Sequence, residues 1–126
     1  IDNFKEINDT FGHDMGDYVI NSVGKILKKN FRNSDYVCRL GGDEFLILLV
    51  ESKNENFIVE RCNKIVSEIR DSVVLPNYVV TISMGVAINN NYNDLDQIIK
   101  KADELLYESK NNGKNQITLD DNEMKL

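Results

Sequence analysis

The stretch "RLGGDEFLILLV", residues 39–50, decides how the rest of the chain is read. Phe45 to Val50 is a continuous apolar run, the pattern of a strand covered on both faces. Directly before it stand two glycines and two adjacent carboxylates, Asp43 and Glu44. Tyr36–Leu40 and Glu44–Val50 read as two strands separated by Gly-Gly-Asp, the spacing of a β-hairpin with a glycine-containing turn. A turn projects from a sheet, so Asp43 and Glu44 are expected at the mouth of a site while Phe45 onward is buried. Gly41 and Gly42 then let the backbone turn tightly and let a ligand come close.

Working outward, Asp17–Phe31 sets Val19, Ile20, Val23, Ile26 and Leu27 at helical spacing, after a polar, turn-rich opening. Ile58, Cys62, Ile65, Val66 and Ile69 predict a second helix, ended near Pro76, the only proline. Tyr78–Ile88 reads as one strand. Val80, Ile82, Met84, Val86 and Ile88 form one face, and Thr81, Ser83, Gly85 and Ala87 keep the other small enough for close approach by a helix or ligand. After a loop at Asn89–Asn93, Asn93 or Asp94 caps a third helix with Leu95, Ile98, Ile99, Ala102, Leu105 and Leu106 inward, ended by Gly113. Asn115–Leu119 makes a last strand, and a polar tail from Asp120 is expected to fray. The expected class is α+β, with helices flanking a central, mostly antiparallel sheet.

The 126 residues, 41% hydrophobic, are enough to bury a core as one domain. Fifteen basic residues against 21 acidic give a net charge of -6, which offers no footprint for DNA, RNA or an anionic membrane. Any phosphate must be held locally. Cys38 and Cys62 lack metal-ligand spacing and read as reduced core residues, which suits a cytoplasmic protein. No run approaches the ~18 apolar residues of a spanning helix. Ile1-Asp2-Asn3-Phe4-Lys5 has no cap and no initiator Met, so an upstream part of a longer polypeptide is expected.

Three further groups bear on chemistry. Asp2 is another carboxylate beside a strand end, and clustered carboxylates suit a hard cation such as Mg²⁺. "NDTFGHDMGD" gathers Asn8, Asp9, His13, Asp14 and Asp17 around Gly12 and Gly16 in what reads as a polar loop. "KNNGK" places Lys110 and Lys114 about one helical turn apart as point charges for phosphate.

Four blocks together, "IDNFKEINDTFGHDMGD" (1–17), "GGDEF" (41–45), "SMGVA" (83–87) and "ADELLYESKNNGKN" (102–115), resemble the signature blocks of the GGDEF domain, the bacterial diguanylate cyclases. They stand in the family's order and span nearly the whole chain. The resemblance implies a palm-like nucleotide-cyclase fold over residues 1–119, with 120–126 as a tail. It implies an enzyme that binds GTP with Mg²⁺ or Mn²⁺, two ions per active site, and condenses two GTP into cyclic di-GMP and two pyrophosphates across a homodimer.

Carried onto this chain, Asp43 and Glu44 are the catalytic, metal-holding carboxylates, and Ile1 offers its main-chain carbonyl to the metal. Asn8 and Asp17 match the guanine-binding pair. An amide and a carboxylate complement guanine's O6 acceptor and N1 and N2 donors, whereas adenine would leave buried partners unpaired. Main-chain N–H groups of Asn3 and Phe4 match the phosphate cradle, with Gly41 and Gly42 also in the substrate-binding set. Lys110 and Lys114 match the basic pair, Lys114 standing where the family usually has an arginine and lacking its bidentate fork. Arg32 and Asp35 of "RNSD", with Asp35 six residues before Gly41, match the RxxD inhibitory site for the product. Arg61 on the following helix is a candidate assistant there.

Arg39 reads equally as an ion-pair partner of the acidic turn or as a solvated edge charge. His13 reads as a loop-ordering hydrogen bonder, and Met84 and Tyr107 as core. The family's first metal-binding aspartate falls immediately before Ile1. The chain is therefore expected to be an N-terminally truncated fragment, without the first helix and most of the first strand, and inactive alone. Activity is assigned to a parent with an upstream sensor or regulatory domain, whether or not that parent is membrane-anchored. A catalytically silent module that binds GTP or cyclic di-GMP is the competing function.

Overall fold

A computed structural model of the chain describes residues 1–49, 54–88 and 94–120. The chain divides into two compact units, Ile1–Thr81 and Ile82–Leu126, each described by itself.

The first unit opens on helix α1 (Phe4–Phe11), followed after Gly12 by α2 (His13–Asn30). The expected polar loop is therefore helical, and α2 starts four residues before Asp17. Phe4, Ile7 and Phe11 stand on one stripe of α1, with Ile7 fully buried. Only Gly12 breaks the run: its φ of +90° is open to glycine at little steric cost and lets the chain double back. His13 is the first residue of α2, not a loop residue.

Strands β1 (Tyr36–Gly41) and β2 (Glu44–Leu48) form the expected antiparallel hairpin. Strand β2 stops at Leu48, and Val50 lies outside the described residues. Pairing runs from Tyr36 with Leu48 to Arg39 with Phe45, then slips, so that Gly41 faces Glu44 and Leu40 is the extra residue of a bulge. An ideal Cβ on Gly24 of α2 would lie 3.6 Å from the Phe45 ring, so that ring packs where the helix has no side chain.

Helix α3 (Glu55–Ser72) is capped by Asn54, whose side chain accepts the Phe57 N–H at 2.8 Å. Ile58, Cys62, Ile65, Val66 and Ile69 are all buried, as their spacing predicts, and pack with Val19, Val23 and Leu27 in this unit's core. Burial pushes the Cys62 thiol up to about 11 against a smaller opposing pull from Arg61. Cys38, expected in the core, is exposed on β1, a strand whose residues are mostly open to solvent. The α2–α3 junction is tied by Glu68, which pairs with Lys29 and accepts from Asn30 Nδ2 at 3.1 Å. Those two hydrogen bonds hold its carboxyl below the usual range.

A short hairpin, β3 (Val74–Leu75) and β4 (Tyr78–Val79), turns at Pro76–Asn77. The expected continuous strand from Tyr78 to Ile88 is divided, because residues 80–82 lie outside any ladder. Thr81 bonds the chain start instead: the Asp2 N–H donates to the Thr81 carbonyl at 2.9 Å, and Thr81 Oγ1 donates to Asp2 Oδ2 at 2.7 Å.

The second unit is a β-α-β unit: β5 (Ser83–Val86), α4 (Leu95–Asn111) and β6 (Gln116–Leu119). β5 and β6 are parallel, unlike the two antiparallel hairpins, and a parallel pair requires a crossover such as α4. Asp94 caps α4 by accepting the Gln97 N–H at 2.9 Å; Asn93 lies outside the described residues. Leu105 and Ser109 are its buried residues. Ser109 Oγ donates to the Met84 carbonyl at 2.9 Å and meets Thr118 Oγ1 at 2.6 Å, stitching helix to both strands. Leu95 and Tyr107 were expected inside and are exposed, at the start and on the outer side of α4, and Met84 is half-buried. Asp120 is no frayed tail: it is 2% exposed and its N–H donates to the Val86 carbonyl at 3.2 Å.

Candidate functional site

At the hairpin tip, Gly41 and Gly42 have φ of +146° and +53°, and a Cβ added to either would meet nothing within 4 Å. The glycines thus serve a backbone conformation and leave open space beside the turn. Asp43 is half-buried and Glu44 exposed. The nitrogen of Ile1 donates to the Asp43 carbonyl at 3.0 Å and lies 3.9 Å from its Oδ2, so the chain start runs alongside the acidic turn. Arg39 Nε donates to the Gly42 carbonyl at 3.0 Å. Its role is therefore neither alternative from the sequence: it braces the turn through main chain.

Asp2 is engaged elsewhere, buried and bonded to Thr81. Among the described residues no three His, Cys, Asp or Glu side chains gather as a metal cluster. Asp43 and Glu44 are nevertheless hard oxygen donors of the right kind. Mg²⁺ is commonly held by one or two carboxylates plus substrate phosphates rather than by an all-protein cage, and this donor set fits that mode.

Asn3 precedes α1 in a left-handed conformation, φ 55°, and its carbonyl accepts the Ile7 N–H at 3.1 Å. Phe4 is thereby placed in the first helical turn, whose N–H groups have no intrahelical acceptor and favour an anion. Asn8 is on α1 and Asp17 on α2, not together in one loop. The Asn8 side chain lies against Gly16 of α2, the residue before Asp17. Gly16 escaped the sequence reading, where it looked like a turn glycine.

Arg32 and Asp35 close on each other. The Arg32 N–H donates to Asp35 Oδ2 at 3.0 Å, the Asp35 N–H donates to the Arg32 carbonyl at 2.9 Å, and Arg32 Nε stands 3.9 Å from the same carboxylate. The Asp35 side chain is 4% exposed and that of Arg32 53% exposed, so the aspartate shapes the turn and the arginine faces solvent. Arg61 donates to the Asn30 carbonyl at the end of α2 and stacks over Phe57 at 5.1 Å.

In the second unit Lys110 belongs to the last turn of α4, whereas Lys114 lies beyond the helix. Gly113, Lys114 and Asn115 have φ of 114°, 64° and 52°, and the Lys114 N–H donates to the Ser109 carbonyl at 2.9 Å. The two lysines are thus carried on a helix end and its left-handed turn, not on one continuous helical face. No helix among the described residues is long and apolar enough to cross a membrane.

The family described as "Diguanylate cyclase, GGDEF domain" matches residues 1–116. Diguanylate cyclase DosC of Escherichia coli (strain K12) is 38% identical over 123 residues, covering 94% of this chain and 26% of DosC. Diguanylate cyclase A of Treponema denticola is 41% identical over 129 residues, covering 98% of this chain and 34% of that protein. The chain therefore spans between a quarter and about a third of these curated relatives. The crystal structure of the GGDEF domain of DgcB from Caulobacter crescentus, in complex with c-di-GMP, superposes with a TM-score of 0.87 at 27% identity, covering 94% of this chain and 72% of that one. These matches support the α+β class inferred from the sequence.

Proposed function

This chain belongs to the GGDEF family of diguanylate cyclase domains, and on that premise we propose that the longer protein carrying it condenses two GTP into cyclic di-GMP and two pyrophosphates. The observation that carries the reading is the hairpin tip: a braced turn that presents Asp43 and Glu44 beside open space, with Ile1 alongside. In a homodimer each subunit holds one GTP, and each 3′-hydroxyl forms a bond to the other nucleotide's α-phosphorus as pyrophosphate leaves.

Asn8 and Asp17 read the guanine edge. The first-turn N–H groups around Asn3 and Phe4 hold terminal phosphates, Gly41 and Gly42 leave room for the nucleotide, and Lys110 and Lys114 are the second unit's proposed phosphate-binding cations. Asp43, Glu44 and the Ile1 carbonyl would hold two Mg²⁺ or Mn²⁺ ions, which when bound would neutralise phosphate charge and lower the pKa of the attacking hydroxyl. We assign the domain to residues 1–119 and its place to the cytoplasm, in a protein whose upstream part senses or regulates. The test is turnover: GTP supplied with Mg²⁺ is consumed, and ATP at the same concentration is not.

Arg32 and Asp35 form the inhibitory site. The exposed Arg32 guanidinium takes phosphate or a guanine edge of the product, and the nearly buried Asp35 carboxylate holds the turn that presents it. Added cyclic di-GMP should slow the wild-type protein, and Arg32→Ala should turn over GTP at the same initial rate without that response. Undiminished inhibition of Arg32→Ala would sink this assignment. The competing reading is a module that binds GTP or cyclic di-GMP without turnover, and the same turnover test separates the two.

A further inference from the structure

Gly16 lies inside α2, is buried, and has an ordinary helical backbone with no positive φ. Nothing in its conformation demands glycine, and a helix-interior glycine costs about 1 kcal/mol relative to alanine. What demands glycine is space. A Cβ at this position would overlap Asn8 Oδ1 outright, stand 3.0 Å from Asn8 Cγ and reach within 3.3 Å of Phe4 Cζ.

The local chain path explains the closeness. The Gly12 N–H donates to the Asn8 carbonyl at 2.8 Å, and the Gly16 N–H donates to the Gly12 carbonyl at 3.1 Å. Both are ordinary i→i−4 helical bonds, one ending α1 and one opening α2; the turn between the helices is Gly12, φ +90° and ψ 163°, and across it the Asn8 side chain occupies the space beside Gly16. Asp17 is the next residue. The side-chain-free position is thus a slot in which the Asn8 amide lies, one residue from its expected partner in base recognition.

We propose that Gly16 is a positioning residue for nucleotide selection: its missing side chain makes the slot that holds the Asn8 amide beside Asp17, so it controls GTP binding without touching GTP. The inference rests on the reading of Asn8 and Asp17 as the guanine-binding pair. The atoms a Cβ would displace are the end of a side chain that can rotate, not main chain. Gly16→Ala therefore moves Asn8 out of place, and its consequence falls on nucleotide binding more than on the fold.

The experiment is a double-mutant cycle in the protein that carries this chain, with initial rates of cyclic di-GMP formation and thermal unfolding for Asn8→Ala, Gly16→Ala and the pair. Asn8→Ala is expected to raise KM for GTP roughly tenfold, the scale of a lost base hydrogen bond, with kcat within about twofold. Gly16→Ala should do the same, and the double variant should be no worse than Asn8→Ala alone, because both act through one amide. If Asn8→Ala raises KM and Gly16→Ala leaves it unchanged, or if the two effects multiply, the proposal is overturned while the guanine assignment stands. If Asn8→Ala itself leaves KM unchanged, the guanine assignment fails and takes the proposal with it. Should Gly16→Ala unfold, the double variant decides: recovery of folding when Asn8 is trimmed supports the slot, and continued unfolding overturns it.

Discussion

Replacing Asp43 with alanine is expected to lower cyclic di-GMP formation by about 10³-fold or more while the hairpin stays folded. The expected size follows from the role: metal ions that neutralise charge at a transferring phosphoryl group contribute several kcal/mol, and each ~1.4 kcal/mol is a factor of ten in rate. The fold should tolerate the change, because the bonds that hold the turn are accepted by main-chain carbonyls. The Asp43 carbonyl, which accepts from Ile1, and the Gly42 carbonyl, which accepts from Arg39, both survive the substitution. The Phe45 ring over Gly24 is also untouched. Thermal unfolding within a degree or two of wild type, alongside lost activity, separates a chemical role from a structural one. Asp43→Asn, which keeps the shape and removes the charge, should lose as much. An alanine variant that made product at the wild-type rate would remove Asp43 from the chemistry.

Replacing Gly85 with alanine should do the opposite, acting on the fold first. An added Cβ would overlap the Ala102 carbonyl oxygen and the Leu106 nitrogen of α4 and lie 2.8 Å from the Leu105 carbonyl carbon. These are backbone atoms of a helix, and no rotamer change relieves them. Overpacking commonly costs 1–3 kcal/mol, and with main chain on both sides we expect about 3 kcal/mol or more, a fall in Tm of about 10 °C or more. Ala102→Gly in the same chain should give no rescue, since the offending atom is the Ala102 carbonyl and not its side chain. A Gly85→Ala variant as stable as wild type would mean that β5 and α4 do not pack this closely. The contrast with Gly16 is instructive: there the neighbour is a movable amide, here it is main chain.

Much of this was legible in the residues themselves. The apolar run after Glu44 announced a strand, and Gly-Gly-Asp before it announced a hairpin. The small face around Gly85 announced close approach by a helix, which α4 makes. The stripe from Ile58 to Ile69 was buried as spaced. Helix α1 was missed because it is eight residues long and its Asn, Asp and Thr favour turns as strongly as helices. The short hairpin β3–β4 has two residues per strand, too few for any alternation to register. Leu95 and Tyr107 fit a helical stripe yet face solvent, since periodicity tells which residues share a face and not how much of that face a neighbour covers.

The chemistry of the site was legible as residue types and not as geometry. An amide and a carboxylate suit guanine by their donors and acceptors, but the packing of the Asn8 side chain against Gly16 cannot be seen in a string of letters. Arg39 read equally as an ion-pair partner or as a solvated edge charge, and its Nε holds the Gly42 carbonyl, because a guanidinium takes whichever oxygen the turn presents. Asp35, matched to an inhibitory site by its motif and spacing, is nearly buried in its own turn.

One measurement bears most directly on the account as a whole. The protein that carries this chain, incubated with GTP and Mg²⁺, should release cyclic di-GMP and pyrophosphate in a ratio of one to two, read by mass spectrometry and phosphate analysis. Binding of GTP or cyclic di-GMP with no product from GTP would contradict it and leave a nucleotide-sensing module in its place.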